Sequence, residues 1–430
     1  MSQTLEKIIA TNLGVYLHAP RWFIAYSGGL DSTVLLHVIA RLKKTSSTSL
    51  PPVSAIHINH QLNPQADAWA AHCQKNCTAL DIPLHITRVA IEKNGAGLES
   101  AARDARYRAF KDALGKDDVL LQAHHADDQA ETVLLRLLRG SGVTGMAAIP
   151  AQRQIGNATI VRPLLTITRQ QLQDYAGANN LVWIEDDSNF DIKLDRNFLR
   201  HEIIPRLQQR WSATATVLAR TAAQMADDNL LLRELGDNDW QNIAANAASG
   251  EQALTVNGLL ALSVSRRNNA IRSWLFARDL PIPDAALLQR ISDEVLLAKA
   301  DAEPCLQWGG VEAHRYANRL FVFRSLPDYD ANAEYQWDAS KSLTIEGVGT
   351  LQLQAPHNEV LTVRFRRGGE RCQPEGRAHS QTLKKLMQEY RVPPWLRDRV
   401  PLIYRGDELI AVAGYWLCID SGFLSVEWRR

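Results

Sequence analysis

SGGLDS, residues 27–32, follows the apolar run RWFIAY (21–26) and precedes TVLLHVIARL (33–42), which has helical spacing. Adjacent glycines let the backbone turn sharply and approach a ligand, and a helix N-terminus presents unpaired N–H groups. This order of strand, glycine turn and helix predicts a phosphate-binding loop, with hydroxyl donors from Ser27 and Ser32. The loop has neither the GK[ST] of a Walker A motif nor the GxGxxG of a dinucleotide-binding fold.

Asp31 is an unusual residue for an anion-binding loop because its carboxylate repels phosphate. It fits there if Mg²⁺ bridges it to the phosphates, since Mg²⁺ prefers oxygen ligands. We therefore expect Mg²⁺ at Asp31 and a nucleoside triphosphate in the loop. The plainer alternative is a strand–turn–helix junction with Ser32 as a cap, and it does not require the full six-residue string.

The first half of the chain alternates apolar runs with helical patterns. The later apolar runs are PVSAIHINH, PLHITRVAI and DVLLQAHH, and helical patterns lie between and after them. Such alternation predicts a doubly wound α/β domain with a parallel sheet, here over residues 1–212. Ligands bind such sheets beyond the carboxyl ends of the strands, and each motif of this region falls at such an end.

The pattern of predicted secondary structure changes in the second half of the chain. Three long helical stretches within residues 213–325 predict a helical domain, and SLPDYDANAEYQ (325–336) is typical of a linker. Short strands separated by glycine turns within residues 340–430 predict a small α+β domain. The five cysteines are scattered and form no CxxC, which argues against a disulfide framework or a metal cluster.

Composition indicates a globular protein, with 46% apolar and 22% charged residues. The first residues lack the basic and apolar regions of a signal peptide. No stretch approaches the roughly 20 apolar residues of a membrane helix. We therefore expect a cytoplasmic protein with no membrane partner.

The segment HHADDQAET (124–132) closes an apolar run and opens a helical pattern. His124, Asp128 and Glu131 are spaced i, i+4 and i+7, so they share one face if the helix extends back to His124. One imidazole and two carboxylates suit metal binding, amine positioning or proton transfer. The alternative is a solvated helix start with Asp127 as its cap, because acidic residues are favoured there.

Two pairs of arginines accompany these motifs. Arg103 and Arg106 lie in LESAARDARY, and Arg196 and Arg200 share a helix face shortly after Asp187-Ser188-Asn189. Guanidinium groups there could neutralise the charge of a triphosphate or contact RNA phosphate. A surface ladder of ion pairs and a structural helix with exposed arginines are the respective alternatives.

Positive charge is concentrated near the C-terminus. Residues 361–405 contain eleven Lys or Arg and four acidic residues, an excess of seven positive charges, whereas the whole chain carries +1. A basic patch confined to one domain is typical of nucleic-acid binding, and Tyr390 and Trp395 could stack on bases. The alternative is a generic solvated surface. The candidate RNA contacts are Arg364, Arg366, Arg367, Lys384, Lys385 and Arg397.

The SGGLDS loop resembles that of the PP-loop ATP pyrophosphatases. This resemblance implies cleavage of ATP between the α- and β-phosphates, with the acceptor becoming an adenylate. Other strings are similar to the tRNA(Ile)-lysidine synthetase branch of that group, and they span most of the chain. They include INHQLNPQAD, ESAARDARY, AHHADDQAET, RGSGVTGMAAI, RNFLRHEIIP, FRRGGERC and AVAGYW.

Membership of that branch implies ATP with Mg²⁺, L-lysine and tRNA(Ile) with a CAU anticodon as ligands. It also implies that the C2 carbonyl oxygen of the wobble cytidine is adenylated, that the lysine ε-amine then attacks C2, and that the C-terminal domain holds the tRNA. The resemblance places ATP on Ser27, Gly28, Gly29, Leu30, Asp31 and Ser32. It places the chemistry on Asp31, His124, Asp128 and Glu131, with one arginine of Arg103 and Arg106 and one of Arg196 and Arg200.

Two other functions stay open at this point. A tRNA thiolase of the same ATP family would need a cysteine or cluster to carry sulfur, and no cysteine is adjacent to a motif in the sequence. A non-catalytic RNA-binding protein could keep a relic nucleotide fold, but the intact loop and acidic cluster argue against it. The oligomeric state is also open, a homodimer included.

Overall fold

The computed structural model describes residues 2–45, 49–61, 63–90, 98–186, 191–246, 252–299, 302–355, 357–419, 421–422 and 425–430. The predicted cluster at Asp187-Ser188-Asn189 lies outside these residues. The chain divides into two compact units, Met1–Leu231 and Leu232–Arg430. Among the helices so described, each is too short or too polar to span a membrane.

The first unit is built around one sheet. Its strands are β1 Trp22–Ala25, β2 Val53–Asn59, β3 Leu84–Arg88, β4 Val119–Leu121, β5 Gln152–Ile155 and β6 Ala158–Val161. The spatial order is β3-β2-β1-β4-β6-β5. All neighbours pair in parallel except β5, which pairs antiparallel with β6 at the edge.

Helices cover both faces of this sheet. Trp22 and Ile24 point into the core formed with the helices at Ser2–Leu13, Leu30–Thr45, Ala66–Ala79 and Arg169–Ala178, while Phe23 points to the opposite face beside Phe110. The predicted doubly wound α/β fold is therefore confirmed. The helices are α1 Ser2–Leu13, α2 Leu30–Thr45, α3 Ala66–Ala79, α4 Leu98–Ala113, α5 Ala126–Leu138, α6 Val143–Met146, α7 Arg169–Ala178, α8 Asp195–Phe198 and α9 Ile204–Arg210, with a 3₁₀ turn at Gly14–Tyr16 and a π-helical turn at Leu199–Ile203.

The region predicted to be helical contains helices and also a sheet. The strands β7 Ala244–Asn246, β8 Gln252–Thr255, β9 Cys305–Trp308, β10 Val311–Tyr316 and β11 Arg319–Arg324 form an antiparallel sheet in the order β7-β8-β11-β10-β9. The prediction for residues 213–325 was therefore incomplete. The helices are α10 Thr214–Ile243, α11 Val256–Ala261, α12 Val264–Ala277 and α13 Ala285–Arg290, which continues into a π-helical turn at Ile291–Leu296.

The C-terminal region is α+β, as predicted. Its strands are β12 Glu334–Asp338, β13 Leu343–Ile345, β14 Gly349–Leu353, β15 Val360–Arg364, β16 Arg371–Cys372, β17 Gln381–Thr382, β18 Leu402–Arg405, β19 Glu408–Val412, β20 Trp416–Leu417 and β21 Val426–Arg429. They form sheets β12-β15-β18-β19-β20, β13-β14-β21 and β16-β17. The helices are α14 Leu383–Glu389 and α15 Pro394–Arg397. Strand β12 begins inside the stretch predicted as a linker.

Candidate active site

The SGGLDS segment forms a tight turn from β1 into α2. Gly28 has φ +86°, and a Cβ atom there would lie 2.7 Å from Cδ1 of Ile184 and 2.9 Å from Sγ of Cys73. Only glycine fits this position without displacing its neighbours. The Ser32 hydroxyl is buried and donates to the carbonyl oxygen of Gly29 at 3.0 Å. Ser32 therefore shapes the loop from inside, whereas the sequence had suggested it as a donor to phosphate.

Asp31 lies in the first turn of α2, with its side chain 30% exposed. Its Oδ2 atom is 3.5 Å from Nε2 of His125. Its Oδ1 atom is buried and has no hydrogen-bond partner among the described residues. A buried carboxylate oxygen without a partner beside a phosphate-type loop suits a cation ligand. The residues present therefore fit the Mg²⁺ expected at Asp31.

Cys73 lies close to the loop in space although it is far away in sequence. Its thiol packs against Gly28 and lies 3.5 Å from Nδ1 of His57. The expectation that no cysteine adjoins a motif is thus wrong in three dimensions. Burial, reinforced by Cys77, raises the pKa of the Cys73 thiol to about 12. Such a thiol stays protonated and is a poor nucleophile or sulfur carrier.

His125 is the central cation of the site. It caps α5, and its ring nitrogens lie 3.5 Å from Asp31, 3.7 Å from Asp127 and 3.6 Å from Asp128. Burial alone would lower the pKa of His125, but Asp128, Asp127 and Asp31 outweigh it and raise the pKa to about 10. His125 is therefore an imidazolium that joins the phosphate loop to the acidic cluster. It also replaces Asp127 as the cap that the sequence suggested.

His124 lies outside the helix because α5 begins at Ala126. The predicted helical face shared by His124, Asp128 and Glu131 is therefore wrong for the histidine. Its Nδ1 accepts a hydrogen bond from Nε of Arg162 at 3.2 Å, and Arg162, itself buried, donates from Nη1 to the carbonyl oxygen of Pro150 at 2.7 Å.

Burial lowers the pKa of His124 to about 4, with Arg162, Arg196 and Arg106 adding to the effect and Asp128 opposing it. A neutral imidazole that accepts at Nδ1 carries its proton on Nε2. His124 therefore offers a hydrogen-bond donor at Nε2 near neutral pH, and not a proton acceptor.

Glu131 and Asp128 hold the two arginines of the RNFLR segment. Glu131 is fully buried and accepts Nε of Arg196 and Nε of Arg200, each at 2.6 Å. Oδ1 of Asp128 accepts Nη2 of both arginines at 3.1 and 3.3 Å. Burial would raise the pKa of Asp128, but His125 and Arg196 lower it, so the carboxylate is ionised. Both arginines of this pair therefore reach the site.

The other arginine pair lies at the margin of the site. Arg103 and Arg106 are exposed on α4. The guanidinium of Arg103 is 5.7 Å from the ring centroid of Tyr107, and the positive charge of Arg106 helps to lower the pKa of His124. Arg153 approaches the same Tyr107 ring at 5.2 Å. The structure thus places Arg103 and Arg153 at Tyr107, and Arg106 close enough to His124 to affect its pKa.

Sequence reasoning missed His125, Arg162 and Cys73. His125 was missed because the helix start decides whether His124 or His125 is the cap, and spacing does not fix that start to one residue. Arg162 directly follows β6, at the same edge of the sheet. Cys73 carried no signal, since its contact with Gly28 depends on how α3 packs.

The predicted RNA contacts are mostly engaged within the chain. Arg366, Arg397 and Arg364 are the least exposed, with side chains 22%, 17% and 29% accessible. Lys384 is exposed and makes no ion pair among the described residues. The ion pairs of the other five are Arg364 and Arg367 with Glu334, Arg366 with Asp398, Lys385 with Glu389, and Arg397 with Glu303.

The two aromatic residues proposed as stacking surfaces are packed inside the C-terminal unit. Tyr390 stacks on Trp416 with ring centroids 4.5 Å apart. Trp395 contacts His314 at 4.6 Å and Phe321 at 5.1 Å. Both half-buried rings therefore already pack against aromatic neighbours, and their role in stacking on RNA bases stays a prediction.

Three family models match the chain. Residues 1–207 match a PP-loop domain, residues 254–321 a TilS substrate binding domain and residues 361–427 a TilS substrate C-terminal domain. The tRNA(Ile)-lysidine synthase of Coxiella burnetii is 43% identical over 416 residues, which cover 94% of this chain and 91% of that protein. The chain belongs to the tRNA(Ile)-lysidine synthase family.

Other members of the tRNA(Ile)-lysidine synthase family show similar agreement. The enzyme of Pseudomonas putida is 42% identical and covers 94% of both chains, and that of Serratia proteamaculans is 40% identical and covers 96% of this chain and 94% of its own. Among solved structures, the U34-tRNA thiolase NcsA of Methanococcus maripaludis has a TM-score of 0.44 and 16% identity, over 52% of this chain and 79% of its own. That score is too low to support a functional argument.

Proposed function

We propose that this chain uses ATP to join L-lysine to C2 of the wobble cytidine of tRNA(Ile) with a CAU anticodon, giving lysidine, AMP and pyrophosphate. One observation carries the proposal. The glycine loop after β1 and the histidines after β4 meet at neighbouring strand ends, where His125 connects Asp31 to Asp128. The full-length agreement with relatives named tRNA(Ile)-lysidine synthase supports the assignment. A tRNA substrate makes the cytoplasm the expected location.

The loop would hold the phosphates of ATP. The backbone N–H groups at the start of α2 face the turn, and Gly28 lets the chain approach closely because it has no side chain. Asp31 would hold Mg²⁺, which neutralises charge on the departing pyrophosphate when it is bound. The partnerless Oδ1 of Asp31 supports this role.

In the first step, the C2 carbonyl oxygen of cytidine attacks the α-phosphorus of ATP. The bond from the α-phosphorus to the bridging oxygen breaks, and pyrophosphate leaves. Arg196 and Arg200, fixed by Glu131, offer their remaining N–H groups to the negative charge that develops on the α-phosphate. The neutral His124 adds a donor at Nε2, held in that form by Arg162.

In the second step, the lysine ε-amine attacks C2, and the bond from C2 to the AMP oxygen breaks. Because the carbonyl oxygen has become part of AMP, it can leave as AMP. Lysine arrives as an ammonium and must lose a proton before attack. The carboxylates of Asp127 and Asp128 attract the ammonium, and its proton passes to water before the attack.

The domain roles follow the distribution of these groups. We assign ATP chemistry to residues 1–212, and tRNA binding to residues 340–430, with the exposed Lys384, Lys385 and Arg367 as the first phosphate contacts.

A thiolase would need a reactive sulfur. The thiol packed against the loop, Cys73, is buried and protonated, which disfavours that activity.

Mass spectrometry of the tRNA after incubation with ATP and each amino acid tests the proposal. We expect one modified cytidine, heavier by one lysine minus one water, with lysine only. Asp31→Ala should abolish AMP release because it removes the cation ligand, while Asp174→Ala, an exposed carboxylate on α7, should leave it unchanged. Sulfur in the product, or wild-type AMP release by folded Asp31→Ala, would overturn the assignment.

A further inference from the structure

Three potential metal ligands meet on one face of the β9–β10 ladder, in the second unit. Cys305 pairs directly with His314 across the ladder, and Glu312 precedes His314 by two residues. Side chains two apart on a strand, and those paired across strands, project to the same face. Sγ of Cys305 lies 3.7 Å from Nε2 of His314, which lies 2.9 Å from Oε2 of Glu312.

Contacts outside the cluster hold the ligands in place. The second carboxylate oxygen of Glu312 accepts a hydrogen bond from Nε2 of Gln307 at 3.1 Å. The His314 ring is stacked on Phe323, with an interplanar angle of 4° and ring centroids 5.4 Å apart. It also contacts the ring of Trp395. Such outer contacts orient metal ligands and reduce the entropy lost on binding.

The donor set indicates the kind of ion. We propose that Cys305, Glu312 and His314 bind a zinc-class divalent cation, with water completing a tetrahedral shell. Zn–S bonds of about 2.3 Å and Zn–N or Zn–O bonds of about 2.0–2.2 Å place tetrahedral ligand atoms roughly 3.3–3.6 Å apart. All three ligand atoms lie within 4.8 Å of one another, so small side-chain movements close the shell. The exposed Cys305 leaves an entry path from solvent.

Binding exchanges protons for the metal. The cation replaces the thiol proton of Cys305 and the contact between Nε2 of His314 and Glu312. A free thiol is protonated near neutral pH, so metal binding releases that proton. Affinity should therefore increase with pH, because the thiolate is the ligand. The site belongs to the second unit, whereas the residues assigned to ATP chemistry belong to the first, and it serves to stabilise the β9–β10 pair.

Zinc and cobalt binding to the full chain, first stripped with a chelator, test the proposal. Wild type should bind one more equivalent of Zn²⁺ than Cys305→Ser, and bound Co²⁺ should show a thiolate charge-transfer band that Cys305→Ser lacks. Glu312→Gln should bind at least tenfold more weakly. Glu303→Gln, a neighbouring exposed carboxylate outside the cluster, is the matched control and should behave as wild type.

Thermal unfolding of each stripped variant checks that the fold is retained, and Zn²⁺ should raise the midpoint of wild type but not of Cys305→Ser. The difference between wild type and Cys305→Ser isolates this site from any metal bound at Asp31. Equal zinc uptake by the two proteins, or a cobalt spectrum without a thiolate band in wild type, would overturn the proposal.

Discussion

Oppositely charged side chains pair in both the candidate active site and the C-terminal region, but the two settings differ in exposure. Glu131 is fully buried and accepts hydrogen bonds from Arg196 and Arg200. Glu389 is 33% exposed and pairs with Arg377 and Lys385 at the surface. Removing one partner of a buried pair strands the other charge in a low-dielectric environment, whereas a surface pair contributes little.

This contrast supports the proposed division of the chain between catalysis and RNA binding. The buried network fixes guanidinium positions because no partner can leave without a large penalty. The surface pairs can exchange a carboxylate for a phosphate at small cost, since water screens both states. Apart from Lys384, the six candidate RNA contacts of the basic C-terminal stretch are therefore paired charges that are weakly held.

The largest expected effect separates the two kinds of carboxylate. Glu131→Gln should reduce the rate of AMP formation by about a hundredfold or more and lower the free energy of unfolding by about 3 kcal/mol, because two arginines lose a buried counter-charge. Glu389→Gln should change the free energy of unfolding by about 0.5 kcal/mol or less. Urea unfolding and AMP release measure both, and similar losses in the two variants would remove the distinction.

The second prediction concerns the loop. Gly28→Ala places a methyl group 2.7 Å from Ile184 and 2.9 Å from Cys73 at positive φ, so ATP binding should weaken about tenfold or more, and stability should fall by about 1–3 kcal/mol. Gly29→Ala is the control, because its nearest neighbour would be Ser27 Oγ at 3.5 Å. ATP titration by calorimetry compares them, and equal affinities would contradict the close-packed loop.

The third prediction is a pH dependence. Folding lowers the pKa of His124 to about 4. Below the ordinary pKa of histidine, the unfolded chain therefore binds more protons than the folded chain. The free energy of unfolding should decrease as the pH falls toward 4. Arg162→Met removes a cation, which should raise the pKa of His124. AMP formation should then begin to fall at a higher pH than in wild type.

Rates measured from pH 7.5 down to pH 5 detect this shift. Arg153→Met is the control, because Arg153 lies over Tyr107 and does not bond to His124. An unchanged profile in Arg162→Met, with activity reduced equally at every pH, would mean that Arg162 acts only through the Pro150 contact.

The smallest effect is expected at the surface. Replacing Lys384 and Lys385 by alanine should raise the tRNA KM severalfold and reduce the slope of log affinity against log salt by about two units, one for each phosphate contact. The kcat at saturating tRNA should change little, because uniform binding does not lower the chemical barrier. Arg366→Ala is unsuitable as a test since its half-buried side chain pairs with Asp398. A wild-type salt slope would show that tRNA is held elsewhere.

The first unit could be predicted from sequence because its strands β1, β2, β4 and β6 are largely buried. Such strands appear as continuous apolar runs, and the helices between them keep their own period. The middle sheet was missed for a physical reason. Its strands, such as CLQW and VEAHRY, are short and follow three long helices, although Gly309-Gly310, with φ of +51° and +77°, is a strong hairpin signal.

The site was predictable to the level of its motifs but not of its contacts. Asp128, Glu131, Arg196 and Arg200 were chosen from spacing, yet their mutual ion pairs depend on tertiary packing across some 65 residues of chain. His124 was chosen in place of His125 because a shift of one position decides which of the two residues caps the helix. Spacing alone cannot fix a helix start to one residue.

The π-helical turn at Leu199–Ile203 has a consequence for sequence length. It follows Arg196 and contains Arg200, and both arginines donate hydrogen bonds to Glu131. A π turn accommodates one residue more than an α turn, and in an α-helix each residue rotates the chain by about 100°. Deleting a single residue here would let the helix relax to α and swing one guanidinium away from its carboxylate. This short segment should therefore tolerate substitutions better than changes in length.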